Sequence, residues 1–294
     1  MPSDALTLSS SDLELELSPS IGGAISRLTY VGEGGPRPIL RERHSPLQNV
    51  LEAASFPLVP FVNRVRGGSF SFRGRTVSLE PNMAGDPSPL HGQGWLNPWA
   101  VEESGEDFVT LSYHHEPSEW PWAYSTQQEF RLDGPVLDLA LTCRNDSSEL
   151  MPSGLGQHPY FPCTAQTRLD TEVGFAWTID AQVLPVAKVP ATGRYDLRDR
   201  LICGQDLDNG FEGWSGRVVM NDPDGPYELE LSSPQARFFQ VFSPASGGFF
   251  VAEPVTHANA ALNAPEPDWP ELGLRILEPG EEMRLDMRIE VRAK

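Results

Sequence analysis

The feature that most constrains the fold is a period of two. Leu13, Leu15 and Leu17 alternate with Glu14, Glu16 and Ser18. Near the other end Leu285, Met287, Ile289 and Val291 alternate with charged neighbours. Side chains one residue apart on a strand point to opposite faces, so each pattern predicts a half-buried strand. Similar runs recur about every 10–12 residues, separated by Gly, Pro, Asn and Asp. They include Phe70–Phe72 with Val77–Leu79 around Arg73-Gly74, Val109–Tyr113, Val136–Thr142, Val218–Met220, Tyr227–Leu231, Phe238–Phe242 and Phe249–Ala252. No long amphipathic helix and no strand–helix alternation intervenes. The pattern predicts an all-β chain, a large antiparallel β-sandwich or barrel, and disfavours a parallel α/β sheet. Residues 44–55 are read as one short helix, helped by Leu51, Glu52, Ala53 and Ala54 and stopped by Pro57.

The 26 glycines and 28 prolines are scattered along all 294 residues rather than gathered into a linker. One domain spanning 1–294 is therefore expected. Lys plus Arg total 22 against 41 Asp plus Glu, a net charge of −19. Such a surface repels phosphate backbones and anionic lipid, so neither nucleic acid nor membrane is an expected partner. No apolar run approaches the ~20 residues of a membrane span, and Met1 to Asp12 has no apolar core of signal-peptide length. Cys143, Cys163 and Cys203 are odd in number and widely spaced. They argue against a disulfide framework or a zinc site and for a reducing, cytoplasmic setting.

Several polar residues stand where the pattern does not require them. His158 follows Gly154 and Gly156 and precedes Pro159, which pushes it toward an extended conformation. It reads either as a core histidine in a strand-end turn or as an acid that protonates a substrate oxygen. Glu253 lies 253 − 158 = 95 residues later, at the end of an apolar strand and directly before Pro254. A carboxylate there is costly to bury, and a raised pKa suits a general base that removes a proton. Asn63 and Arg64 interrupt an apolar run, either as a solvent-facing edge pair or as donors lining a pocket. His91, between a Pro-rich loop and Gly92, is exposed or pocket-facing. Asp208 reads as an Asx-type turn or as an acceptor. Trp120-Pro121-Trp122 is a packing staple or a flat platform for a sugar ring. His114 and His115 point to opposite faces and do not share a metal. His257 would share a face with Glu253 only on a helical turn, with nothing nearby to complete a ligand set.

Taken in order, Asn63-Arg64, His91-Gly92 with Trp95 and Trp99, His158-Pro159-Tyr160-Phe161, Asp208 with Phe211, and Glu253 resemble the aldose 1-epimerases, the galactose-mutarotase-like family. The resemblance covers nearly the whole chain. It implies a large antiparallel β-supersandwich that holds a free monosaccharide and needs no metal or organic cofactor. It further implies Glu253 as catalytic base, His158 as catalytic acid, His91 and Arg64 around the ring and anomeric oxygens, Asp208 as a hydroxyl acceptor and Asn63 in support. The chain departs from the hexose pattern at Pro162, where the family often has asparagine, and at Val255, two residues past Glu253, where it often has glutamine. The resemblance is thus to the uncharacterised bacterial branch, as a monomer or homodimer. Alternatives are a hexose-6-phosphate 1-epimerase using the basic run Arg64, Arg66, Arg73 and Arg75, a non-catalytic sugar-binding protein, and a glycosidase using Asp208 with Glu253.

Overall fold

A computed structural model describes residues 5–42 and 47–294. Among these residues the secondary structure is strands and short 3-10 turns, with no α-helix. A nine-stranded antiparallel sheet runs, in spatial order, from Arg200–Leu201 through Arg168–Thr171, Arg217–Asn221, Tyr227–Ser232, Glu282–Ala293, Val136–Asn145, Tyr124–Asp133 and Phe108–His115 to Ala100–Ser104. An eight-stranded sheet runs from Pro185–Pro190 through Phe175–Ile179, Leu207–Glu212, Phe238–Ser243, Phe249–Val255 and Gly156–Gln157 to Pro57–Leu58, with Tyr160–Pro162 as its eighth strand, also paired with Phe249–Val255. A four-stranded sheet holds the N-terminal strands Leu6–Ser9, Leu13–Ser18, Ala24–Tyr30 and Arg37–Pro38.

One apolar cluster joins all three sheets. Leu15 and Leu28 enter it from the N-terminal sheet, Leu139 and Leu285 from the nine-stranded sheet, and Phe239 and Phe250 from the eight-stranded sheet. Each such side chain contributes roughly 1.5–3 kcal/mol when fully buried. The alternation expected of Leu13–Leu17 and of Leu285–Val291 is realised, with those residues inward. The Phe249–Val255 strand instead is covered on both faces. Phe250 and Ala252 face the main cluster, while Val251 and Val255 face a second, smaller one with Phe56, Tyr160 and Trp95. Glu253 shares the face of Val251 and Val255.

Two expectations need correction and one open choice is decided. Residues 44–46 lie outside the described residues, and of 47–55 only Val50–Glu52 makes a 3-10 turn, capped by the Asn49 side chain. Helix propensity loses there because the following backbone has other partners: the Ala54 and Phe56 carbonyls accept from the N–H groups of Tyr160 and His158. The two tryptophans are a packing staple. Trp120 packs on Phe61 and Phe70, and Trp122 meets Phe72 edge-on, all buried. Finally, Cys163 and Cys203 form a disulfide with Cα atoms 5.7 Å apart, while Cys143 stays free and buried. Pairing of Arg168–Thr171 with Arg200–Leu201 returns the chain beside Cys163, and no local spacing announces that. The cysteine argument for a reducing compartment falls with it. No helix among the described residues is long and apolar enough to cross a membrane.

Candidate active site

Three neighbouring strands of the eight-stranded sheet set the floor of a cleft. Gln240 on Phe238–Ser243 is directly opposite Glu253 on Phe249–Val255, and Asp208 lies on the next strand, Leu207–Glu212. Asp208 is therefore a strand residue rather than a turn, and Glu253 is inside its strand rather than at the end. The Gln240 side-chain amide donates to Asp208 Oδ1 at 2.8 Å. Glu253 is 2% exposed.

The walls come from two loops. His158 is held between Gly156–Gln157 and Tyr160–Pro162 by its N–H bond to the Phe56 carbonyl, 3.1 Å. Its ring stacks on Phe56, centroids 4.5 Å apart, and lies 4.6 Å from the Tyr160 ring. Opposite, Asn63 and His91 bind each other twice. The His91 N–H donates to the Asn63 carbonyl at 3.0 Å, and the Asn63 N–H donates to His91 Nδ1 at 3.1 Å. With Nδ1 accepting, the neutral His91 ring carries its proton on Nε2. Both residues have positive φ, 54° and 61°. Gly92 follows at φ 70°, where a Cβ would collide with the Val59 carbonyl. Arg64 donates from Nε to Asp86 Oδ2 at 2.8 Å, with both side chains mostly buried.

All six expected residues, Asn63, Arg64, His91, His158, Asp208 and Glu253, line this one cleft of about 240 Å³. Three larger hollows hold none of them: one of about 810 Å³ on the charged outer face of the nine-stranded sheet, one of about 580 Å³ between Ser69–Phe72 and residues 262–267, and one of about 550 Å³ beside Cys163. All three lack a convergent set of buried titratable groups, so the smaller cleft is where chemistry is expected. His158 Nε2 lies 3.5 Å from Glu253 Oε1. Burial pushes the Glu253 carboxyl well above its usual range, with Asp208 adding and Arg64 opposing. Burial lowers His158 to about 3 and holds His91 well below its usual value. Burial also raises Asp208, against the pull of Arg64 and the Gln240 bond. Burial thus favours a neutral pair, a carboxylic acid beside an uncharged imidazole. The imidazole lies far from the near-neutral range of an unperturbed histidine, and the cause is desolvation.

Glu253 Oε2 and Gln240 Oε1 are buried and have no hydrogen-bond partner among the described residues. Unpartnered acceptors in a closed pocket suit a ligand rich in hydroxyls. Gln240 and Asp86 are further polar residues at the site. Gln240 carries a sequence signal, a lone polar residue in Phe-Phe-Gln-Val-Phe, the same kind of interruption that marks Glu253. His257 is not a metal partner: both ring nitrogens bond to backbone, and among the described residues no cluster of three or more His, Cys, Asp or Glu forms a metal site.

Comparison with known proteins agrees in scale and extent. The family model for aldose 1-epimerase matches residues 4–290. An uncharacterised Escherichia coli (strain K12) protein, YphB, is 32% identical over 251 residues, 82% of this chain and 84% of its own. A crystal structure of an E. coli K12 protein, provisionally an aldose 1-epimerase, superposes with a TM-score of 0.87 at 30% identity, covering 99% of both chains. A galactose mutarotase-like protein from Clostridium acetobutylicum gives a TM-score of 0.88 at 16% identity, covering 99% of this chain and 95% of that one, and so shares the fold.

Proposed function

The chain belongs to the aldose 1-epimerase family, and from that premise we propose that it interconverts the α and β anomers of a free monosaccharide, with Glu253 as base and His158 as acid. One observation carries the assignment of roles: a carboxyl and an imidazole, 3.5 Å apart and removed from water, at the bottom of a cleft sized for one sugar ring.

Ring opening takes a proton from the anomeric hydroxyl and gives one to the ring oxygen. The O–H electron pair becomes the carbonyl bond as the bond from the anomeric carbon to the ring oxygen breaks. Glu253 as carboxylate takes the first proton, and His158 as imidazolium supplies the second. Afterwards Glu253 holds a proton and His158 none. That is also the form burial favours, and it is the form needed for closure, when the carboxyl returns its proton to the carbonyl oxygen. Rotation about the first carbon–carbon bond before closure gives the other anomer. Opening and closing therefore use the two arrangements of a single proton, which the contact lets the pair exchange directly. Each such group is worth ~10²–10⁴-fold in rate. Arg64 stabilises negative charge growing on oxygen, His91 donates from Nε2, and Asp208 accepts from a sugar hydroxyl. Asn63 keeps His91 in its tautomer.

A free sugar is favoured over a sugar phosphate because the basic run does not converge. Arg64, Arg66, Arg73 and Arg75 pair with four different carboxylates, those of Asp86, Asp180, Glu266 and Glu149. Freshly dissolved α-aldoses, followed by polarimetry, are expected to reach anomeric equilibrium faster with the protein. Their 6-phosphates, followed by NMR exchange, are expected to show no such gain. Acceleration of the phosphates alone would reverse the choice.

A further inference from the structure

The segment that carries Arg64 belongs to no strand, yet from Val62 to Arg66 every backbone N–H is bonded. Two turn toward the His91 loop: Asn63 to His91 Nδ1 at 3.1 Å and Val65 to the Pro89 carbonyl at 3.0 Å. The other three turn the opposite way and meet side chains, not backbone. Val62 N–H donates to His257 Nε2 at 3.0 Å, Arg64 N–H to Asn259 Oδ1 at 3.1 Å, and Arg66 N–H to Asn263 Oδ1 at 2.7 Å. The partners are 195 to 197 residues away in sequence. Three side-chain acceptors thus take the N–H groups of alternate residues, Val62, Arg64 and Arg66, in place of the carbonyl row of a neighbouring strand.

We propose that His257, Asn259 and Asn263 are positioning residues of the site: a side-chain ladder that fixes the Arg64 backbone relative to Glu253. The inference rests on the epimerase reading and adds to it. Glu253 and His257 belong to one continuous stretch, so the ladder ties the arginine to the same piece of chain that carries the base.

Each rung is itself immobilised. His257 donates from Nδ1 to the Ala258 carbonyl at 2.8 Å, which leaves Nε2 as acceptor. Its ring lies against Gly154, where a Cβ would collide with it. Asn259 donates to the Val183 carbonyl at 2.8 Å. Asn263 donates to the Arg66 carbonyl at 3.0 Å and the Ser69 carbonyl at 2.8 Å, gripping Arg66 at both its N–H and its C=O. Ala260, in the left-handed region at φ 56°, turns the chain between the two asparagines. The hydrogen bonds of all three side chains go to backbone, as positioning requires.

The test is a double-mutant cycle with kcat and KM measured on an aldose that the wild type turns over. Asn259→Ala is expected to lower kcat about 10- to 100-fold, the range for a misplaced group near the chemistry, with KM changing little. Asn263→Ala, one rung further along, is expected to give a smaller fall. Neither is expected to lower kcat further in an Arg64→Ala background, because placement no longer matters once the guanidinium is gone. Should Asn259→Ala fail to fold, Asn263→Ala carries the same comparison. If both variants keep wild-type kcat, or if their losses multiply with that of Arg64→Ala, the ladder is structural only and the inference fails while the epimerase reading stands. An active wild type separates that result from failure of the reading, since inactivity on every aldose would overturn both.

Discussion

Glu253 Oε1 and His158 Nε2 lie 3.5 Å apart, and burial moves their proton affinities in opposite directions. Between the low value of the imidazole, about 3, and the raised value of the carboxyl, the pair holds one proton. Opening and closing each need one proton on the pair. The profile of kcat/KM against pH is therefore expected to have its acid limb well below the ordinary histidine range, and its alkaline limb set by the carboxyl. An acid limb at pH 6–7, the region of an unperturbed imidazole, would contradict the neutral pair.

Asp208 helps hold the Glu253 carboxyl high. Asp208→Asn removes that charge while keeping a side-chain oxygen. The pKa of Glu253 then falls, so the alkaline limb of the same profile is expected at lower pH than in the wild type. KM is expected to rise through loss of a charged acceptor. An unmoved limb would mean that the two carboxyl groups do not interact.

The buried histidines also predict how stability varies with acid. His257 drops from 6.5 to about 4 and His158 to about 3, both through burial. The unfolded chain binds these protons more readily than the folded one, so their contribution is present above pH 6.5 and is lost as pH falls toward the folded values. For His257 alone the loss is roughly 3 kcal/mol. Glu253 has the opposite sign: its raised value favours folding below about pH 4.5 and loses that as pH rises through the folded value. Thermal midpoints are expected to drop between pH 6.5 and 4, and His257→Gln, which keeps an acceptor but does not titrate, is expected to flatten the drop. An unchanged slope in His257→Gln would refute the assignment.

How much of this was readable in the chain depends on which contacts are local. Leu13, Leu15 and Leu17 declare their strand because one face is wet and the other dry. Phe249–Val255 is dry on both faces, so Glu253 was expected at the end of its strand, with Pro254 as the stop, whereas the strand runs on to Val255. Leu51 to Ala54 carry helix propensity, yet the Ala54 and Phe56 carbonyls are committed to Tyr160 and His158. Asn63, Arg64 and Glu253 are legible as polar residues in apolar runs, His91 and His158 by the glycines and prolines around them, and Asp208 through family order. The rungs at His257, Asn259 and Asn263 were invisible because their partners are 195 to 197 residues distant. The Cys163–Cys203 bridge was missed for the same reason.

That bridge closes a loop of 40 residues from five positions after His158 to five before Asp208. Chain-entropy arguments assign such a loop about 4 kcal/mol of stability. Thiol titration of the unfolded, unreduced protein is expected to find one thiol, Cys143, and three after reduction. Cys163→Ser is expected to lower the thermal midpoint. Three thiols before reduction would contradict the pairing.

The most direct test of the central claim is polarimetry with Glu253→Gln on an aldose that the wild type accepts. The side chain keeps its shape but has no basic oxygen able to take the anomeric proton. Sugar binding is expected to survive, with the rate of anomer exchange falling by roughly 10²–10⁴-fold. A variant as fast as the wild type would show that another group is the base.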